Sequence, residues 1–217
     1  MKTTFTKNML VLFCSIATSN AAMAWSVYKP ETQFNPPATS SIWAADYTND
    51  ATCSLPALPM TNTLSSAVFT PLLGFSYAPG QGNATLPVVL KNPLNTVASP
   101  NLMFAPKQIL LHASHERCAV LSFTAPQSGM YHIVGKFHKT GNTTGVAPHP
   151  KLAGVFIKTN TNTLFSGMVS VTTSVNQQPF TLPMIPLNAG DKVHFMANDG
   201  GVLDSNTVAL KVRIVGP

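Results

Sequence analysis

The sequence predicts an all-β fold, an antiparallel sandwich (jelly roll) in a single domain, on three observations. Long amphipathic helical periodicity is missing, and Pro or Gly interrupts nearly every window of about a dozen residues. What recurs is short alternating apolar and polar runs at roughly ten-residue spacing, with turn residues between them. Many short strands with no helices between them exclude a parallel α/β arrangement.

The chain opens with Met1-Lys2 and Lys7, then the apolar run Met9 to Ala17, then small residues ending Ala22-Met23-Ala24. A basic start, a short apolar core and an A-x-A site form the pattern of a secretory signal peptide, residues 1–24, cleaved after Ala24. The apolar run spans about half of the roughly 20 residues a membrane-crossing helix needs, so no membrane association is expected once the signal is removed. Residues 25–60 are rich in Pro, Thr, Ser and Asn and carry both tryptophans, Trp25 and Trp43. They read as an irregular N-terminal segment packed on the sandwich formed by residues 61–217.

Within that domain the clearest strand is Thr207 to Val215, with Val208, Leu210, Val212 and Ile214 on one face and Lys211 and Arg213 on the other. Met130 to His138 alternates likewise: Tyr131, Ile133, Gly135 and Phe137 share one side. Lys192 to Ala197 follows the turn Asn188-Ala189-Gly190-Asp191 and sends Val193 and Phe195 inward. Leu86 to Leu90, Ile109 to His112, Ala119 to Thr124, Gly154 to Thr159, Thr163 to Phe165 and Phe180 to Met184 complete the set.

Charge and cysteine content narrow the partners. Only 9% of residues are charged. Removing the signal takes away Lys2 and Lys7, leaving 11 basic against 7 acidic residues, a net of +4. The basic residues form no run, so nucleic-acid binding, which rests on clustered phosphate contacts, is not expected. Loss of Cys14 with the signal leaves Cys53 and Cys118, a pair that an oxidising compartment joins as one disulfide; two cysteines alone make a poor zinc site.

The stretch Leu111-His112, then Phe123-Thr124-Ala125-Pro126 and Gly129-Met130-Tyr131, continues with Gly154-Val155, Leu164-Phe165-Ser166, Ala189-Gly190-Asp191 and Asp204-Ser205. In order and spacing it resembles a jelly-roll domain of secreted bacterial proteins, of largely unassigned function, similar to carbohydrate-binding modules and galactose-binding-like domains. Ile42-Trp43 and Leu86 to Asn92 also fit, so the likeness spans most of residues 42–215. The chain departs from the pattern at Asn206-Thr207, where Thr-Gly is usual, and has no apolar tail after Pro217. The resemblance therefore implies a freely secreted or periplasmic form, and it draws attention to His112 and Asp204.

Catalytic constellations are missing. His112-x-x-His115-Glu116 has the wrong order for a His-Glu-x-x-His zinc site and sits where a strand leaves into a loop. His132 and His138 share a strand face about 20 Å apart, too far to chelate one ion. His112 is expected against the sheet edge, bonded to backbone. Asp46, Asp50, Asp191 and Asp199 stand beside Asn, Gly, Ala or Tyr, so turn-forming roles are expected rather than the paired carboxylates of a glycosidase. No Gly-x-Ser-x-Gly elbow occurs, and paired cysteines supply no thiolate. Asp204, with Asp191, Asn198 and Asp199 nearby, offers oxygens of the kind calcium takes, but without regular ligand spacing; no cofactor or metal is expected.

Binding asks for less: flat aromatic faces for a sugar ring and polar groups around them. Trp43 and Tyr47, four apart, and Tyr77 before the Pro-Gly-Gln-Gly-Asn stretch supply that chemistry, with His112 and Asp204 as further ligand-binding candidates. The bland reading of Trp43 is that it seals one end of the sandwich. The expected function is a non-enzymatic exported module for a glycan or a surface protein. The alternative is a protein-interaction or self-assembling envelope component, whose edge strands pair with neighbours, and behind it a hydrolase.

Overall fold

The period-two pattern of Thr207–Gly216 can bury one face only by lying inside a sheet, and it does so in a computed structural model describing residues 24–38, 40–64, 72–79, 86–96, 104–140, 152–160, 162–170, 176–201 and 207–217. The expected signal segment, the loop after Pro79 and Asp204 lie outside the described residues. In chain order the elements are β1 (Ser26–Tyr28), α1 (Pro30–Gln33), β2 (Trp43–Tyr47), β3 (Leu58–Pro59), β4 (Asn62–Thr63), β5 (Leu73–Ser76), β6 (Val88–Lys91) and β7 (Ile109–His112). They continue with β8 (Ala119–Thr124), β9 (Gly129–Lys139), β10 (Leu152–Thr159), β11 (Thr163–Ser170), β12 (Gln177–Leu187), β13 (Lys192–Ala197) and β14 (Thr207–Gly216).

Two antiparallel sheets face one another. The first runs β12-β9-β14-β7-β6-β5-β4, with β1 also paired to β14; the second runs β11-β10-β13-β8-β2-β3. Between them Tyr131, Ile133, Phe137, Val208, Leu210, Val212 and Ile214 meet Trp43, Leu121, Phe123, Val155, Val193 and Phe195 in one buried cluster. Smaller apolar clusters cover parts of the two outer faces. Leu72, Leu86 and Phe104 close over Val88, Leu90, Leu110 and Ala209 of the first sheet. Cys53, with Leu55 and Ala57, closes over Val120 and Met196 of the second.

Residues 25–60 are not an irregular cover. They give β1 to the first sheet and β2 and β3 to the second, where Trp43 to Tyr47 pair residue by residue with Phe123 to Ala119. The short Trp-Ala-Ala-Asp-Tyr run carries too little alternation to announce itself, and becomes a strand because β8 offers it a free edge. Asp46, expected in a turn, is accordingly a buried strand residue.

At the edge of the first sheet, β12 contains Pro179, Pro183 and Pro186, its register with β9 shifts between Leu182 and Ile185, and Met184 sits at φ +55°. Such interruptions are tolerated at edges, where a strand need not donate on both sides.

Cys53 and Cys118 form a disulfide that closes a 65-residue separation and fastens the segment after β2 to the start of β8. Asp50 Oδ1 prepares the turn by accepting from the backbone N–H groups of Thr52 and Ser54. Cys53 is thereby held at φ +58°, with its carbonyl accepting from Lys158 Nζ at 2.8 Å. Reduction should cost about 2–5 kcal/mol, the usual range for a loop of this length. Urea unfolding with and without dithiothreitol reads this directly; coincident midpoints would show that the bond does not stabilise the fold.

Candidate functional site

Strand pairing places four chain segments at one end of the sandwich. In the first sheet Ser76, Val88, His112 and Thr207 occupy one row across β5, β6, β7 and β14. In the second, Leu58, Tyr47, Ala119 and Ala197 occupy the matching row across β3, β2, β8 and β13. The turn 113–118 joins the two rows, and Tyr77 follows Ser76 directly. Tyr47, Tyr77 and His112, chosen separately from the sequence, therefore belong to one end.

There the rings of Tyr47 and Tyr77, thirty positions apart, meet edge to face with centroids 4.8 Å apart. Both are only partly buried. The Arg117 guanidinium lies 4.4 Å from the centre of the Tyr77 ring, a cation–π contact. Asn62 Nδ2 donates to the Tyr77 carbonyl at 2.9 Å and holds the strand end in place. The turn bearing Arg117 is pinned by three contacts: Ser114 N–H to Arg117 carbonyl, His115 Nδ1 to Asp199 at 3.0 Å, and the disulfide at Cys118. Two buried polar atoms of this turn, Ser114 Oγ and Arg117 Nε, have no hydrogen-bond partner. Arg117 carried no motif and was not legible in the sequence.

Trp43 is not part of this site. It lies at the opposite end of β2, 1% exposed, with its ring against Phe123 and Phe195 and its indole N–H donating to Gln33 Oε1. A bulky aromatic on the inward face of a central strand serves the core, so sealing one end of the sandwich is its role.

His112 also differs from expectation. β7 lies between β6 and β14, not at an edge, and the ring bonds the Thr207 hydroxyl through Nδ1 at 2.9 Å instead of backbone. Burial lowers its pKa to about 4, with Lys139 adding repulsion. The acidic and amide groups named beside Asp204 are occupied locally: Asp199 accepts from His115 and Gly201, Asp191 from the Asn188 N–H, and Asn198 from Gly154. His138 bonds Gln108 at 2.8 Å.

A second polar arrangement was invisible in the sequence. On the outer face of the second sheet, β2, β8 and β13 bring Asp46, Ser122 and His194 together, each at most 4% exposed. Ser122 Oγ donates to Asp46 Oδ2 and meets His194 Nδ1 at 2.8 Å. Its single proton is committed to Asp46, so it accepts from the imidazole N–H. A hydrolase needs the reverse, a histidine lone pair receiving the serine proton; as bonded here, the row ties three strands together. His194 also borders a cleft of about 360 Å³ with Leu55, Pro56, Ala57, Asn160 and Lys192. Burial first, then Lys192, lowers its pKa to about 4, while burial raises the Asp46 carboxyl despite its bond to Ser122.

No protein-family model matches the chain, and no curated protein does. Solved structures superpose on it loosely. The carbohydrate-binding module TmCBM61 in complex with β-1,4-galactotriose is 12% identical, over 69% of this chain and 90% of that one, at TM-score 0.36. A family 35 carbohydrate-binding module from Clostridium thermocellum is 12% identical, over 88% and 97%, at TM-score 0.31. The Stig cyclase Fisc from Fischerella sp. TAU, with a bound indole derivative, is 12% identical, over 88% and 98%, at TM-score 0.42. Two binding modules and a cyclase on related architectures leave chemistry open, and likenesses with TM-scores this low do not bear on it.

His112 and His194 give the fold a defined acid response. Both are held neutral in the folded chain to about pH 4, whereas unfolded histidine protonates near 6.5. Between those values the unfolded state binds more protons, so stability falls as pH drops from about 6.5 to about 4, by on the order of 2–3 kcal/mol per histidine. Asp46, raised by folding, works in the opposite direction and offsets part of the loss. Urea midpoints measured from pH 7.5 to 4 should decline, and His194→Asn should flatten the decline. A flat profile for the unsubstituted protein would mean neither ring is held as described.

Proposed function

We propose that this chain is an exported module that binds a glycan at the Tyr47–Tyr77 end of the sandwich and does not transform it. The observation that supports the reading is the Tyr47–Tyr77 pair, with Arg117 against the second ring. Partly exposed tyrosines offer apolar faces to the C–H side of a sugar ring. Arg117 and Asn62 supply the surrounding polar groups that fix orientation.

Export fits the same reading. The disulfide requires an oxidising compartment for its formation, and the N-terminal pattern supplies a signal for reaching one, so a secreted or periplasmic location is proposed. Non-catalytic action is proposed because the most enzyme-like cluster, Asp46–Ser122–His194, buries its serine completely and commits that serine's proton to a carboxylate.

A glycan array and insoluble-polysaccharide pull-down with the purified exported protein, with and without calcium, test this. Saturable binding is expected, with Tyr77→Ala and Tyr47→Ala each weakening it about tenfold or more, the usual effect of removing an aromatic anchor. Variants that unfold at the unsubstituted midpoint yet bind unchanged would place the ligand elsewhere. Absence of any glycan binding would shift the reading to a surface protein partner.

A further inference from the structure

The outer face of the first sheet is covered over β6, β7 and the start of β14 by the Leu72–Leu86–Phe104 cluster, which reaches Ala209 but no residue of β9, β12 or the rest of β14. On that open part the register sets Lys211 directly opposite Lys136, and Lys136 opposite Pro179; Arg213, two residues on, stands opposite Val134. Lys211 and Arg213 are exposed, alternating with buried Val212 and Ile214. Helix α1 borders the same face, so Lys29, Glu31 and Thr32 wall a cleft of about 580 Å³ with a floor of Val134, Gly135 and Pro179.

Among the described residues its cations outnumber its carboxylates four to one, Lys29, Lys136, Lys211 and Arg213 against Glu31. Like charges directly opposite on neighbouring strands destabilise a sheet, yet here two lysines face each other with an arginine beside them. The ion pairs among the described residues, His115–Asp199 and Arg117–Glu116, include none of Lys29, Lys136, Lys211 and Arg213. Lys136 Nζ donates to the neutral Gln177 amide at 2.9 Å. Glu31, the one carboxylate bordering the cleft, is partly buried with Oε2 unbonded. Burial raises its carboxyl in spite of Lys211, Lys29 and Lys91 nearby. The chain has 13 basic residues in all, and four converge here against one carboxylate among the described residues, Glu31.

We infer that this cleft binds an acidic polysaccharide, its carboxylate or sulfate groups lying among Lys29, Lys136, Lys211 and Arg213 and its ring C–H faces over Val134 and Pro179. The ligand class rests on the glycan-binding reading above; the location does not. Adjacent strands are about 4.8 Å apart and alternate residues of a strand about 6.6 Å apart, a spacing that lets the cations meet successive groups of a chain. An open cleft with an aliphatic floor suits a polymer that passes through it. The sandwich end, where Arg117 is paired with Glu116, offers no such concentration of cations.

Binding of the exported full-length protein to polygalacturonate, heparin and neutral dextran, at about 50 and 300 mM salt, tests the inference. The acidic polymers should bind, more than tenfold more weakly at the higher salt, as expected for screened contacts. Lys211→Glu/Arg213→Glu should weaken them at least tenfold, Lys211→Gln/Arg213→Gln by less, and Tyr77→Ala not at all. Relief of the facing lysines should leave the Tm of the charge-reversed protein at or above that of the unsubstituted one, which shows the loss is not unfolding. Unchanged acidic-glycan binding in the reversed variant overturns the inference, as does equal, equally salt-sensitive binding to duplex DNA or phosphatidylglycerol vesicles. If only neutral glycans bind, and bind through Tyr77, the cleft assignment fails while the glycan reading stands; if no glycan of either kind binds, both fail.

Discussion

Strand β14 is the element on which the rest of the molecule leans. It pairs with β9 along most of its length, with β7 at its start and with β1 at its end. Its register fixes everything placed on the first sheet. The inward row Val208, Leu210, Val212 and Ile214 belongs to the main core, and the outward residues Lys211 and Arg213 face solvent. A slip of one residue would exchange the two rows and bury two cations, so hydrophobic burial on one face decides what chemistry the other presents.

The same period-two logic explains what was legible. Ile109–His112, Ala119–Thr124 and Lys192–Ala197 were read with their observed bounds, and β9 and β14 to within a residue at each end, because apolar residues recur between turn signals and, in β9 and β14, alternate with polar ones. The disulfide was legible from compartment and count alone. β2 was not, since its Ala-Ala centre gives no alternation and its strand character comes from β8 alongside. Nor were the very short β3, β4 and β5, which pattern cannot separate from loop.

The site was legible only in pieces. Tyr47, Tyr77 and His112 stood out as residue types, but their sharing one end depends on which strands are neighbours, which no single sequence states. Trp43 misled because one pattern, an aromatic in a polar stretch, serves both a binding loop and an end plug; burial decides between them. Asp46, Ser122 and His194 lie far apart in the chain, Asp46 reading as a turn residue and the other two as ordinary outward strand positions. Only the register of three strands makes them a network, and what they hold together is the wall beside the disulfide-fastened loop.

The broken ladder of β12 bears on how such a chain survives dense company. An edge strand is an open template for another copy, and a molecule with few surface charges has little electrostatic repulsion to keep copies apart. Three prolines withdraw donors from that edge, and the shift near Met184 bends what remains. Crowded molecules thus find no continuous row of amides there to zip onto, and protection that other proteins obtain from surface charge is here written into the backbone.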